Sequence, residues 1–200
     1  MVYPPVTPKP RWERNNGVNG DFLLSLGRLV PYKRVDLAIQ AAERVGVRLL
    51  VAGDGPDRAR LERLGGRWTE FVGEVSEEEA GRLLSTCAAF VFCGEEDFGM
   101  APVEANSSGT PVVGFARGGL LETMVPGETA ELFTRQDLEC IVAAIRRALE
   151  RDWDRTTIRH NAERFEPVRF RDAFAGSVEH ALRSRQGGAA CEIVRLGEVE

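Results

Sequence analysis

The chain has 200 residues, of which 43% are hydrophobic and 28% are charged. This balance excludes collagen-like, low-complexity and disordered chains. The formal net charge of −5 gives no electrostatic reason to expect binding to bulk nucleic acid or to an anionic membrane surface. The longest apolar run, residues 87–93, is far shorter than the roughly 20 residues of a transmembrane helix. Any anionic ligand must therefore be held by a local site.

The start of the chain and its cysteines indicate a reducing compartment. The first residues show neither the basic nor the apolar region of a signal peptide. The four cysteines form no C-x-x-C pair, and three of them lie in apolar segments, which is typical of buried free thiols. We therefore expect a cytoplasmic protein.

Composition divides the chain into three parts. Residues 1–20 are rich in Pro, Asn, Arg and Gly without periodicity, which is typical of a linker or irregular lead-in. Regular patterns fill residues 21–185, a length that supports a single hydrophobic core. From Gln186 the chain turns to Gly and Ala, so we expect residues 186–200 to form a flexible tail.

In chain order, apolar runs typical of buried strands alternate with helical spacing from residue 22 onward. Strands are predicted over 22–26, 47–52, 69–72, 89–93 and 110–115. Helices are predicted over 36–45, 57–64, 76–88, 101–107, 138–149 and 170–182. This alternation predicts an α/β domain, a doubly wound, Rossmann-like parallel sheet with helices on both faces. In such a sheet, ligands bind beyond the carboxyl ends of the strands.

Three cations lie in the loop after the first predicted strand. Arg28, Lys33 and Arg34 follow Gly27, and a predicted helix begins directly after them. Arginine can bond two phosphate oxygens at once, lysine adds a point charge, and a helix N-terminus adds N–H groups. This set suits a diphosphate, although an exposed basic loop is the alternative. Neither a Walker A sequence nor a G-x-G-x-x-G fingerprint occurs in the chain.

Carboxylates follow the fourth predicted strand. Glu95, Glu96 and Asp97 end it, and Glu104 lies in the first turns of the next predicted helix. One acid near a helix N-terminus is explained by the helix dipole, but four exceed that need. Carboxylates accept hydrogen bonds from vicinal sugar hydroxyls. A glycine pair, Gly118-Gly119, follows the next strand and permits close backbone approach to a ligand.

Taken together and in order, these motifs resemble one family across about residues 2–180. They are Gly27-Arg28-Leu29 with Lys33, Glu96-x7-Glu104 around Phe98-Gly99, Gly109-Thr110-Pro111-Val112-Val113, and Gly118-Gly119-x-x-Glu122. This combination resembles the C-terminal domain of the retaining GT-B glycosyltransferases of glycosyltransferase family 4. Residues 30–36 and 95–104 are most similar to mannosyltransferases of surface polysaccharide assembly, which implies GDP-mannose as the donor.

The resemblance also implies a role for each matching residue. Arg28 and Lys33 would neutralise the leaving diphosphate, and Glu96 would bind hydroxyls of the donor sugar. Glu104 would hold the ribose hydroxyls. The remaining expected donor contacts are Gly27, Gly73, Glu74 and Val75, the last three against the base, together with Asp97 and the backbone amides of Phe98, Gly99 and Met100. Enzymes of the family that bind no metal rely on such side chains, so no cofactor is expected.

One sequence feature suggests a metal but is better explained otherwise. Asp152-Trp153-Asp154 is a D-x-D, the motif by which the other glycosyltransferase fold holds a divalent cation. Here it follows a predicted helix rather than a strand, so we interpret it as a solvated helix end. His160 and His180 lie near no set of cysteines and carboxylates that would form a zinc site.

The resemblance covers one of the family's two domains. It implies that the acceptor-binding half, for a glycan or lipid-linked acceptor at the inner face of a membrane, is absent from this chain. Phe165, Phe170 and Phe174 would then lack part of their usual cover. Two alternatives remain open. One is a nucleotide-sugar-binding or regulatory module without catalysis, and the other is an interaction domain with no nucleotide site.

Overall fold

The computed structural model describes residues 2–9 and 20–187. Its sheet has six strands, all paired in parallel, in the order β3-β2-β1-β4-β5-β6. The strands are β1 (Phe22–Leu26), β2 (Arg48–Ala52), β3 (Thr69–Gly73), β4 (Ala89–Phe92), β5 (Val112–Phe115) and β6 (Ala130–Phe133). The helices are α1 (Val35–Val45), α2 (Arg58–Leu64), α3 (Glu77–Thr86), α4 (Met100–Ser107), α5 (Leu120–Thr123), α6 (Leu138–Glu150), α7 (Arg155–Ala162) and α8 (Pro167–Gly187). The predicted doubly wound fold is confirmed.

Alternation along the strands builds a core on each face of the sheet. Leu23 of β1 joins α1 and α6 in one buried cluster. Its neighbour Leu24 joins α3 and α4 in the other. Both leucines are fully buried, as expected of strands that helices cover on both sides.

The strand order reverses direction between β1 and β4, because β2 and β3 extend one way from β1 while β5 and β6 extend the other way. This is the topological switch point at which doubly wound sheets leave a crevice for ligands. The loop after β1 carries Arg28 and Lys33, and the loop after β4 carries Glu95–Asp97. The fold therefore places the predicted cations and carboxylates on the two sides of one crevice.

The sequence patterns missed a strand and misplaced a helix boundary. The sixth strand contains Glu131, which interrupts the apolar run by which the other short strands were predicted. Asp154 does not close α6, which ends at Glu150. Its carboxylate instead caps α7 by accepting a hydrogen bond from the Thr156 amide at 2.9 Å. The D-x-D interpretation as the end of the preceding helix is therefore wrong, because the second aspartate begins a new one.

The described part of the lead-in packs onto the domain without forming a helix or strand. Tyr3 contacts the rings of Phe98 and Phe165, with ring centroids 6.1 and 5.4 Å away. Val6 is buried and donates its N–H to the Phe165 carbonyl at 2.8 Å. This segment therefore has a fixed path across one face of the domain.

The aromatic patch expected near the C-terminus is only partly present. Phe165 is 2% exposed, because Tyr3 and Phe98 cover it, so the expectation that it lacks cover is wrong. Phe174 is 53% exposed and stacks on Phe170 along α8. That helix continues to Gly187, two residues into the predicted tail, and residues 188–200 of that prediction lie outside the described residues.

Candidate functional site

One ion pair joins the two sides of the crevice. The Lys33 ammonium lies 3.3 Å from a carboxylate oxygen of Glu96. Both side chains are mostly shielded, with 19% and 23% of their surface exposed. The pair places a cation and a hydrogen-bond acceptor side by side at the carboxyl ends of β1 and β4.

Two glycines bring Lys33 into this position. A Cβ on Gly94 would lie 2.7 Å from the Lys33 Cα, so any other residue there would push the two loops apart. Gly27 has a φ of +138°, and a Cβ on it would lie 3.1 Å from the Lys33 ammonium. The conformational freedom of glycine therefore lets the lysine fold back over the end of β1.

The third predicted cation is used locally. Arg34 adopts a left-handed conformation with a φ of 52° at the start of α1. Its guanidinium donates to both oxygens of Asp36, at 3.1 and 3.3 Å. Arg28, by contrast, is exposed and lines the neighbouring cleft. Of the three cations, Arg28 and Lys33 are therefore the two that face the crevice.

A cleft of about 630 Å³ opens beside the ion pair, within the range typical of small-molecule sites. Its walls come from the loops after β1, β2 and β3, and it is lined by Leu26, Gly27, Arg28, Gly53, Asp54, Gly55, Glu74 and Val75. The Gly53 N–H donates to the Gly73 carbonyl at 2.6 Å and ties two of these loops together. The cleft therefore brings together four residues predicted to contact the donor, Gly27, Arg28, Glu74 and Val75.

Sequence reasoning missed the wall that follows β2. Asp54 accepts a hydrogen bond from the Gly55 amide at 2.6 Å and pairs with Arg58 at 3.2 Å. The Arg58 guanidinium lies 3.6 Å from the position of a Cβ on Gly73, at the rim of the cleft. The Gly53-Asp54-Gly55 turn was the available signal, but by itself such a turn does not indicate a ligand.

The loop after β4 presents backbone rather than an aromatic ring. Phe98 packs its ring against Phe165, with centroids 5.3 Å apart, so its side chain belongs to the core. Gly99 has a φ of +80° and Met100 begins α4, where the first N–H groups lack partners within the helix. The predicted contribution of Phe98, Gly99 and Met100 through their amides fits this geometry, and Asp97 is exposed beside them.

The glycine pair after β5 approaches the protein's own chain. The Gly119 N–H donates to the Glu96 carbonyl at 2.8 Å. A Cβ on Gly118 would lie 2.3 Å from the same carbonyl oxygen. The sequence predicted that these glycines approach a ligand closely. In the structure they approach the loop that carries Glu96, and the Gly119 hydrogen bond stabilises that loop.

Glu104 lies apart from the Lys33–Glu96 pair and has its own partner. One of its oxygens is 3.1 Å from the Lys9 ammonium, which also bonds Glu77 at the start of α3. Burial raises the pKa of Glu104, and the charge of Lys9 opposes that rise. Lys9 carried no signal in the sequence, because its loop has no regular pattern.

Two absences hold for the described residues alone. Within residues 2–9 and 20–187, no three metal-ligating side chains converge. In the same part of the chain, no helix is long and apolar enough to cross a membrane. Metal independence remains a prediction.

The chain is similar in sequence to several glycosyltransferases. Over 140 residues the chain is 36% identical to a glycogen synthase from Mycobacterium tuberculosis, covering 64% of this chain and 34% of that protein. It is 35% identical over 138 residues to a GDP-mannose-dependent alpha-(1-6)-phosphatidylinositol dimannoside mannosyltransferase from the same species, covering 65% and 36%. The matched segment thus spans about a third of the length of these relatives.

A solved structure shares the fold. The apo form of the lipopolysaccharide outer core galactosyltransferase WaaB matches with a TM-score of 0.75 and 22% identity, over 90% of this chain and 55% of that one. The family model described as "Glycosyl transferases group 1" matches residues 7–165, which include the ion pair, the cleft and the Glu104 contact. The chain therefore belongs to the group 1 glycosyltransferase family.

Proposed function

We propose that this chain is the donor-binding half of a retaining glycosyltransferase that transfers mannose from GDP-mannose to a glycan or lipid-linked acceptor. One observation carries the proposal. Lys33 and Glu96 lie 3.3 Å apart at the switch point of the sheet, beside a cleft that Arg28 lines. A cation, a sugar-binding carboxylate and a nucleotide-sized cleft are the parts that such a donor requires.

The chemistry assigns each part a task. When the glycosyl–phosphate bond breaks, its electron pair passes to the diphosphate oxygen and the sugar gains oxocarbenium character. Lys33 and Arg28 stabilise the charge that develops on the diphosphate, since preorganised cations act where charge appears in the transition state. Glu96 accepts hydrogen bonds from sugar hydroxyls, and the loop that ends in Glu74 and Val75 lies against the base. No step in this scheme requires a metal.

The mannose donor is supported by a relative. The mannosyltransferase from Mycobacterium tuberculosis carries a GDP-mannose-dependent activity in its name and is 35% identical over the matched segment. Because that segment is about a third of the relative's length, the proposal assigns acceptor binding to polypeptide outside these 200 residues. It also assigns the protein to the cytoplasm, with the acceptor reached at the inner face of the membrane.

Calorimetric titration of the purified chain tests the proposal directly. The ligands are GDP, UDP, ADP and GDP-mannose, each without and with magnesium. We expect saturable binding that favours the guanine nucleotides and is unchanged by magnesium. Preference for UDP or ADP would contradict the mannose donor, and a magnesium requirement would contradict the metal-free scheme. Absence of binding to all four would contradict a donor site in this chain and favour an interaction domain.

A further inference from the structure

Lys9 is brought to the donor side of the domain by the packed lead-in. The lead-in is fixed by Tyr3 and Val6 against Phe165, and Lys9 lies three residues after Val6. Its ammonium is hydrogen-bonded to Glu77 of α3 and lies 3.1 Å from Glu104 of α4. Lys9 and Glu104 are 14% and 15% exposed, so this pair is largely removed from water.

The contact connects the cleft to Glu104. Glu77 follows the cleft-lining residues Glu74 and Val75 by two to three positions and begins the helix that they lead into. Lys9 bonds this helix start and Glu104 at the same time. A carboxylate has two oxygens that accept hydrogen bonds, and the Lys9 ammonium contacts one of them, Oε1 of Glu104.

Electrostatics give this lysine a specific effect. Burial raises the pKa of Glu104 and so favours its neutral form, and the negative charge of Glu77 adds to that effect. The ammonium of Lys9 opposes both, through its charge and its hydrogen bond. Burial also disfavours the charged form of Lys9 itself, but the two carboxylates outweigh this penalty and raise the pKa of Lys9 above its ordinary value.

We propose that Lys9 is a positioning residue of the donor site, which holds the Glu104 carboxylate charged and oriented so that it recognises the ribose hydroxyls of the nucleotide. This inference rests on the proposed function, because it needs a nucleotide in the cleft. In this role the lead-in contributes to nucleotide recognition in addition to the strand-end loops, because Lys9 contacts Glu104.

The test compares GDP with 2′,3′-dideoxy-GDP, which lacks the hydroxyls, by calorimetric titration of the full chain. The wild-type chain is expected to prefer GDP. Lys9→Met should bind GDP about tenfold more weakly, as for the loss of one hydrogen bond to a charged group, and should bind the dideoxy nucleotide with little change. Lys9→Arg keeps the charge and should retain the preference.

A control removes an exposed ion pair of α3, the helix that begins with Glu77. Arg82 pairs with Glu79 on the exposed side of α3, so Arg82→Met should bind both nucleotides like wild type. Melting temperatures of all variants verify that each is folded. The pH dependence of GDP binding gives an independent readout. As the pH is lowered, Glu104 becomes protonated and affinity falls. Without the Lys9 charge this fall should begin at a higher pH in Lys9→Met than in the wild-type chain.

Each remaining outcome overturns a stated claim. Equal loss for both nucleotides means that Lys9 supports the structure rather than ribose recognition. Unchanged or tighter GDP binding by Lys9→Met overturns the inference alone, and tighter binding means that Lys9 competes with the ligand. Failure of the wild-type chain to bind either nucleotide overturns the proposed function together with the inference.

Discussion

At the scale of single residues, chemical type alone does not distinguish a cation that faces the crevice from one that pairs with its own helix. Arg28, Lys33 and Arg34 lie in one loop, yet Arg34 is bonded to Asp36 two positions later, while Lys33 meets a carboxylate from a distant loop. The difference depends on backbone conformation. Arg34 is left-handed at a φ of 52°, which turns its side chain to the start of α1, whereas Lys33 reaches over Gly27.

Replacing Lys33 by alanine should weaken GDP binding by about 1–3 kcal/mol, the range for removing a group that bonds a charged partner. The melting temperature of the ligand-free chain should change little, because the Glu96 side chain is 23% exposed and water can solvate its carboxylate once Lys33 is removed. Titration calorimetry and thermal unfolding check the two expectations.

Arg48→Ala is the matched control for that substitution. Arg48 also pairs with a carboxylate, Glu70 at 2.6 Å, but at the amino end of β2, on the opposite edge of the sheet. Both variants lose one positive charge, so a purely long-range charge effect would weaken GDP binding equally in both. A large fall in the stability of ligand-free Lys33→Ala would instead show that Lys33 is structural.

At the scale of elements, short polar signals decide where helices begin. Ser76 caps α3 by accepting a hydrogen bond from the Glu79 amide at 3.2 Å, as expected of Ser76-x-x-Glu79, which has the sequence of a capping box. Asp154 likewise caps α7. Because the D-x-D follows a predicted helix, the sequence indicated the end of that helix rather than the start of a new one. A cap signal is recognised only when the following residues also show an apolar helical pattern, and α7 has just two apolar residues, Ile158 and Ala162.

Asp154 gives α7 a stability that depends on pH. The Thr157 hydroxyl and then the Thr156 amide hydrogen-bond its carboxylate and lower its pKa. Because the pKa is lower in the folded state, the stabilisation is complete above the unfolded value of about 3.9 and is lost as pH falls through the folded value. Asp154→Ala should therefore lower the melting temperature at pH 7, and the deficit should shrink below about pH 4.

Asp152 provides the comparison within the same D-x-D. It is exposed, and it caps no helix among the described residues. Asp152→Ala should melt like the wild-type chain at both pH values. An equal deficit in the two variants would mean that the net charge of this segment, and not the cap on α7, is responsible.

At the scale of the whole molecule, hydrogen bonds of two buried asparagine side chains join α7 to α4 and α5, and join α4 to the segment before β6. The Asn161 side chain of α7 donates to the Asn106 side chain of α4 at 3.0 Å and to the Thr123 carbonyl at 2.7 Å. Asn106 in turn donates to the Thr129 carbonyl just before β6, at 3.3 Å. Both asparagines are buried, so each hydrogen bond replaces one that water made in the unfolded chain.

Asn161→Ala should therefore lower the free energy of unfolding by about 1–3 kcal/mol, because it leaves buried acceptors without a partner. Urea denaturation measures this change. His160→Ala is the control, since the neighbouring His160 side chain is 84% exposed and its removal should change the unfolding free energy little. Equal changes in the unfolding free energy for the two substitutions would show that helix propensity in α7, and not the hydrogen-bond network, causes the effect.

Residue order by itself determined the fold class, five of the six strands, and the loops that hold Arg28, Lys33 and Glu96. It did so because apolar period, caps and turns are local properties of a chain. Only the tertiary structure decided that Lys33 meets Glu96, that Phe98 turns into the core, and that Lys9 meets Glu104. Those contacts depend on strand order and on the path of an aperiodic lead-in, which bring together residues that no local pattern relates.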